Sequence, residues 1–543
     1  MMKTISGKIV DVVSGNIIKG EITINNGRIV SITPTDEADE QYLIPGFIDS
    51  HIHIESSMLV PSEFARYAVI HGTIGCMADP HEIANVLGID GINFMIENGL
   101  QTPFHFYFGA PSCVPATEFE TSGAIIDAVD ISLLMSRPDI YFLGEMMNFP
   151  GVIFKDDQVI KKLAAAHLQN KPVDGHAPGL VGDNMIQYVA AGITTDHEAH
   201  TLPEAEDKIK QGMKILIRNG SATTSFKELL PLLQTHPEDV MFCSDDKHPD
   251  ELMNGHINKM VIHAVAKGYP LMNVLRAVSL NPVKHYNLPT GLLQTNDSAD
   301  FLIVDNLKDF NVKSTYINGT EVARNGECLF SRPEKIATPN NFHAVPLKKE
   351  DIAVKAERNK MKIMEAFDKQ LLTSASKMDV IKTGDGNVAT DPENDILKIV
   401  VYNRYVPSPP AIAFIHGFGL KQGAIASTVA HDSHNLVAVG TTDEDILDAI
   451  NELIQLKGGI AVANNGVIKK LALPVAGLMS NLPGEEVSTA YQKLNKAVHE
   501  LGSHLKAPFM TLSFMSLLVI PDLKLSDKGL FDGTNFTFTT LWK

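Results

Sequence analysis

Apolar positions along this chain recur with two different periods, and the changes of period divide it. The first residues alternate, in "SGKIVDV" and "SGNIIKGEITINNGRIVSI", with glycine and asparagine at the turns, as in short antiparallel strands buried on one face. A similar stretch returns at Ala299 to Gly326, "ADFLIVDNLKDFNVKSTYINGTEVARNG". Neither stretch makes a complete sheet alone. The two ends are therefore expected to form one small β-sandwich domain, residues 1–44 and 286–345, with another domain inserted between them.

From about residue 45 to 285 short apolar runs alternate with longer helical segments. Eight runs can be read: "GFIDSHIH", "GTIGCMAD", "PFHFYFGA", "IYFLGEM", "PVDGHA", "GITTDHE", "KILIRNG" and "DVMFCSDD". Their spacing of roughly 20 to 35 residues is that of a (β/α)8 TIM-like barrel of ~250 residues. Segments between them, such as "HEIANVLGIDGINFMIENG" and "DQVIKKLAAAHLQN", carry apolar residues three and four apart, as an outer ring of amphipathic helices requires. Residues 346–543 read as a C-terminal α/β domain. Its opening, "KKEDIAVKAERNKMKIMEAFDKQ", is charged and helix-prone; "DILKIVVYNRY" and "HNLVAVGTT" read as strands and "DEDILDAINELIQL" as a helix.

Composition narrows what such a chain does. With 543 residues, 44% hydrophobic and 20% charged, two or three ordinary domains are expected. A net charge of -18 leaves no basic excess to drive nucleic-acid binding. Four cysteines, Cys76, Cys113, Cys243 and Cys328, show no CxxC spacing, which speaks against a disulfide framework or thiolate zinc site and for a reducing compartment. The N-terminal "MMKTISGKIVDV" lacks a basic segment followed by an apolar one, and no run of about 18 apolar residues occurs. The expectation is a cytoplasmic protein without membrane or nucleic-acid partners.

The chemistry lies where the barrel runs end. His51 and His53, Asp79 with His81 just beyond, Glu145, His176, His197, and Asp245 with Asp246 stand at or just past strand ends, which in a barrel surround one mouth. In a strand His51 and His53 share a face. Four histidines with carboxylates suit Zn, Fe or Mn, and Glu145 can bridge two ions about 3.5 to 4 Å apart. Each has a structural rival: His81 follows Pro80 and can simply start a helix, while His105 in "FHFYF" and His167 on a helix read as packed histidines. Strand alternation admits only one of Asp245 and Asp246 to the mouth.

"PGFIDSHIH", with the "ADFLIVD" and "STYINGTEVARNG" tail, resembles the amidohydrolase superfamily over roughly residues 1–340. "ESSM", "ADPHEIANV", "DGHAPGL", "TDHEAHT" and "SDDKHP" are most similar to its adenine deaminase branch, which also carries a C-terminal domain of this kind. The resemblance implies His51 and His53 on one metal, His176 and His197 on the other, Glu145 bridging where many relatives use a carboxylated lysine, and Asp245 as catalytic aspartate and metal neighbour. It implies two divalent ions per chain, Mn2+ or Fe2+ with Zn2+ as the alternative, adenine as small-molecule substrate, and a homo-oligomer. Asp245 would shuttle protons, His81 would polarise or protonate the ring, and Asp246 would anchor the loop or substrate. Rival readings are another amidohydrolase, such as a deacetylase or cyclic amidase, and a non-catalytic scaffold. A substrate as small as adenine needs a cover. "HGFGLKQGAIASTVAHDSHN" reads equally as a glycine-rich turn with solvated polar groups or as that cover; as a cover it is expected to reach the mouth of its own chain or of a partner subunit, with Gly417, Gly419 and Gly423 allowing close approach and His431, Asp432, Ser433, His434 and Asn435 making polar contacts.

Overall fold

The structure, a computed structural model, describes residues 2–221 and 224–543. It opens with β1 (Lys3–Asp11), β2 (Asn16–Asn25), β3 (Arg28–Pro34) and β4 (Tyr42–Pro45). The barrel strands follow: β5 (Phe47–His53), β6 (Thr73–Ala78), β7 (His105–Ala110), β8 (Ile140–Met146), β9 (Val173–Gly175), β10 (Thr195–Asp196), β11 (Lys214–Arg218), β12 (Val240–Cys243) and its continuation β13 (Asp245–Asp246). The chain then returns as β14 (Phe301–Val304), β15 (Val312–Ile317), β16 (Thr320–Arg324) and β17 (Glu327–Cys328).

Both ends of this stretch share one eight-stranded sheet, in the order β17-β16-β15-β14-β4-β1-β2-β3. The sandwich is thus a single sheet folded on itself. Ile5, Ile22 and Ile29 from one half meet Phe301, Ile303 and Tyr316 from the other, and a Cβ on Gly27 would lie 2.9 Å from the Asn318 carbonyl oxygen, so the two hairpin turns touch.

Barrel strands pair in parallel from β5 to β9 and from β10 to β12. The ring closes where the Thr194 N–H donates to the Val173 carbonyl at 2.9 Å, and where β13 pairs with β5, Asp245 opposite Ile52 and Asp246 opposite His53. Ile48, Met77, Tyr107, Phe142, Leu216 and Met241 form an apolar cluster of their own. Residues from strands on opposite sides can touch only inside the ring, so this cluster is the barrel's filled interior. The helical run over residues 81–99 is two helices, His81–Leu87 and Ile89–Gly99, broken at Gly88, where φ is +61°.

The C-terminal segment forms a second eight-stranded sheet, with the helix Asp443–Leu456 packed on one face. The stretch expected to be helical contains a strand, Lys360–Ala366, lying between Thr373–Asp379 and Ala411–His416. Its charge makes it helix-prone by sequence, but Met361, Ile363, Met364 and Ala366 are buried between those neighbours. This domain packs against the barrel through polar and apolar contacts. The Ser480 N–H donates to the Met58 carbonyl at 2.8 Å, Lys528 Nζ reaches the Glu118 and Glu120 carbonyls at 3.0 and 3.1 Å, and one apolar cluster runs from Phe64 and Tyr67 to Met479, Val487 and Phe509. Among the described residues no helix is long and apolar enough to cross a membrane.

Candidate active site

Strand ends of the barrel bring six of the expected side chains to one place. His51 and His53, two apart on β5, aim their Nε2 atoms at each other across 3.2 Å. Asp245 Oδ1, arriving on β13 beside β5, is 3.3 Å from His53 Nε2 and 3.8 Å from His51 Nε2. Glu145 near the end of β8 stands between two groups of imidazoles. Its Oε1 lies 3.4 Å from His53 Nε2, and its Oε2 lies 2.8 Å from His176 Nδ1 and 3.0 Å from His197 Nε2. His176 and His197 follow β9 and β10, and the His197 ring stacks on His51 with centroids 4.1 Å apart. All six residues are buried except His176, which is partly so.

The donor chemistry asks for a cation. The Nδ1–H of His53 is taken by the Asp79 carbonyl at 3.1 Å, which leaves a lone pair on Nε2 facing another imidazole and two carboxylates. Acceptors turned towards acceptors repel unless positive charge sits among them. The same demand shows in the acid–base balance. Burial disfavours charge on His53, yet Asp245 and Glu145 outweigh it and raise its pKa. Burial likewise raises Glu145, but His176 and His197 outweigh it and hold its carboxyl well below the usual range. Groups with ligand atoms gathered within 4.8 Å include His51, His53 and Asp245, and His176, His197 and Glu198. These residues fit divalent ions bound through nitrogen and oxygen.

Around this cluster stand the remaining candidates. Asp79 Oδ2 accepts the backbone N–H of Glu145 at 2.8 Å. Gly144 makes room for that bond, since a Cβ there would lie 2.3 Å from the same oxygen. His81 opens the helix after β6, and its Nδ1 is 3.4 Å from Glu145 Oε1 while its Nε2 faces Glu82 Oε1 at 3.5 Å and Asp432 Oδ1 at 3.8 Å. Asp246 accepts from Ser56 Oγ at 2.5 Å. Both Asp245 and Asp246 line the cavity, contrary to simple alternation. Ser244 turns out of the strand to hydrogen-bond Asp49, and Asp245 takes φ +55°, which breaks the two-residue period.

The C-terminal domain closes the mouth with Leu371, Phe514, Leu517, Val519, Ile520, His431 and Asp432. The glycines of the "HGFGLKQG" loop do not do this. Gly417 packs on Ala366, Gly419 on Gly502 and Gly423 on Ala463 and Leu501, all within their own domain. Of the polar five, His431 and Asp432 face the cavity. His434 Nε2 and His431 Nδ1 are hydrogen-bonded to Glu82, Asn435 to the Thr121 carbonyl, and the Ser433 carbonyl accepts from Tyr405. His105 lies away from the mouth at the start of β7, half-buried beside Asp300. His167, expected to be packed, is exposed, because it falls on the outer face of its helix. Three buried groups escaped the sequence reading: Arg218 at the end of β11, Glu198 beside His197, and Glu82 beside His81. Each had a signal, being next to a named residue or at a strand end. The wall residues Leu371 and Phe514 had none.

The amidohydrolase family profile matches residues 42–322, and the profile of the adenine deaminase C-terminal domain matches residues 370–537. Adenine deaminase of Methanosarcina mazei is 49% identical over 100% of this chain and 100% of its own. Adenine deaminase of Salinibacter ruber is 50% identical over 98% of both chains, and that of Borreliella burgdorferi 46% identical over 98% of both.

Proposed function

The chain belongs to the amidohydrolase family and matches adenine deaminases from end to end; on that premise we propose that it hydrolyses adenine to hypoxanthine and ammonia at two divalent ions held by His51, His53, His176, His197, Glu145 and Asp245. The relatives supply the substrate. The chemistry rests on one observation: Glu145 presents one oxygen to His53 and the other to His176 and His197. A mixed imidazole and carboxylate set suits Mn2+ or Fe2+, with Zn2+ as the alternative. Bound ions of this kind lower the pKa of water and so supply hydroxide near neutral pH.

The protein's own groups do the rest. Asp245 is kept ionised by Arg218 against the effect of burial, so it can take the proton of the water that adds to C6 and deliver it to the departing amine. His81, with one nitrogen towards Glu145 and the other towards Glu82 and Asp432, is placed to polarise the purine ring. Asp246, held by Ser56, steadies the mouth. The apolar cover from Leu371 and Phe514 to Ile520 excludes bulk water from the reaction. With a net charge of -18 and four free cysteines, the protein suits a small substrate and a reducing compartment.

The test is incubation of the metal-loaded protein with adenine, following the ultraviolet change to hypoxanthine and the release of ammonia. Loss of turnover with a chelator and its return with Mn2+ are expected. A metal-loaded protein that leaves adenine intact but releases acetate or a ring-opened acid from an amide would replace this reading with that of another amidohydrolase.

A further inference from the structure

On the far side of the His81 ring from Glu145, the C-terminal domain presents two polar atoms that have no partner among the described residues. They are Asp432 Oδ2 and His431 Nε2, each on a residue only 3% exposed and lining the cavity. The neighbours that could satisfy them are engaged elsewhere. His434 Nδ1 accepts the Ala430 N–H at 3.1 Å while its Nε2 bonds Glu82, and Asn435 is tied to Thr121 and Arg404. The wall beside them, Leu371, Phe514, Leu517, Val519 and Ile520, offers no hydrogen-bonding side chain. His431 is stacked on Phe514 with centroids 4.9 Å apart and 14° between planes, with Nδ1 turned to Glu82. A buried carboxylate oxygen without a donor is costly, and a ligand that donates to it recovers that cost.

We propose that Asp432 reads the imidazole N–H of the purine and that His431 offers Nε2 to the next polar atom of the same edge, so the C-terminal domain selects the free base. This rests on the reading of the site as an adenine deaminase. A free purine base carries one imidazole N–H; a nucleoside has replaced it with a glycosidic bond and gives Asp432 nothing to accept. A nucleotide has lost the same N–H. Asp432 and His431 therefore act on substrate choice and affinity, with the metal cluster left to the barrel.

The experiment compares adenine with 9-methyladenine, which lacks that N–H, as substrates and as ligands of the full-length, metal-loaded protein. Wild-type turnover of adenine checks the reaction by itself. The inference predicts that wild type prefers adenine by about 100-fold in kcat/KM, and that Asp432→Ala loses about 10- to 100-fold on adenine, mainly through KM, at unchanged metal content. The preference over 9-methyladenine should shrink to a few-fold in that variant. An Asp432→Ala protein with wild-type KM for adenine, or with the full preference intact, overturns the assignment. Should Asp432→Ala fail to fold by circular dichroism, the isosteric Asp432→Asn takes its place, with a raised KM again expected. Equal KM values of wild type for the two bases overturn the proposal whatever the variants do.

Discussion

Arg218 grips Asp245 and Glu198 at once, with Nη1 2.5 Å from Asp245 Oδ2 and 2.5 Å from Glu198 Oε1, and Nη2 3.0 Å from Glu198 Oε2. All three are buried, so the guanidinium fixes the aspartate's geometry and keeps it ionised. Removing one partner of such a buried set typically costs about 3–5 kcal/mol, because the charges left behind remain out of water. Arg218→Met should therefore lower the melting temperature and cut kcat by about 100-fold, with Arg218→Lys intermediate, since an ammonium cannot fork between two carboxylates. Thermal denaturation and steady-state kinetics check this, and a normal melting point with normal kcat in Arg218→Met would refute it.

Glu145 carries the two-ion assignment. Both its oxygens face imidazole nitrogens, Oε1 at 3.4 Å from His53 and Oε2 at 2.8 Å from His176. Glu145→Gln offers one neutral oxygen and an amide that cannot ligate through nitrogen. After chelation and reloading with Mn2+, wild type should carry close to two ions per chain and the variant one or none, measured by atomic emission. A full pair of ions with normal turnover in the variant would remove the bridging role.

The adjacent acids of β13 are expected to separate in function. Asp245 contacts His53 and Arg218, whereas Asp246 is hydrogen-bonded to Ser56. Asp245→Asn should drop kcat by at least ~10^2 with most of the metal retained, as for a lost general acid–base group. Asp246→Asn should be milder. The reverse order in kcat would exchange the two roles.

The barrel was readable because its chemistry stands at the ends of short apolar runs, and parallel β-α units bring such ends to one face. Counted among eight such runs, "GFIDSHIH" and "IYFLGEM" put His51, His53 and Glu145 at the mouth. The eighth strand was less transparent, since the positive φ of Asp245 depends on Ser244 reaching Asp49, 195 residues away in sequence. Glu82 and His434 are 352 residues apart, and no local period signals that contact. The strand Lys360–Ala366 was misread because charge density outweighed its buried residues, which only neighbouring strands reveal.

The last expectation concerns acid. His248, between barrel and C-terminal domain, is 5% exposed, and its Nδ1 lies 2.9 Å from Tyr491 OH. Burial pushes its pKa from 6.5 down to about 4. Between those values the unfolded chain binds a proton that the folded chain refuses, so stability falls as pH drops from 6.5 towards 4 and is fully present above 6.5. A shift of this size corresponds to at most about 3 kcal/mol over the window. His248→Gln cannot titrate. It should start slightly less stable than wild type at pH 7, through the altered Tyr491 contact, and lose less on going to pH 5. Denaturation midpoints of both proteins in the same metal state at the two pH values measure this, and parallel losses would show that His248 carries no part of the acid sensitivity.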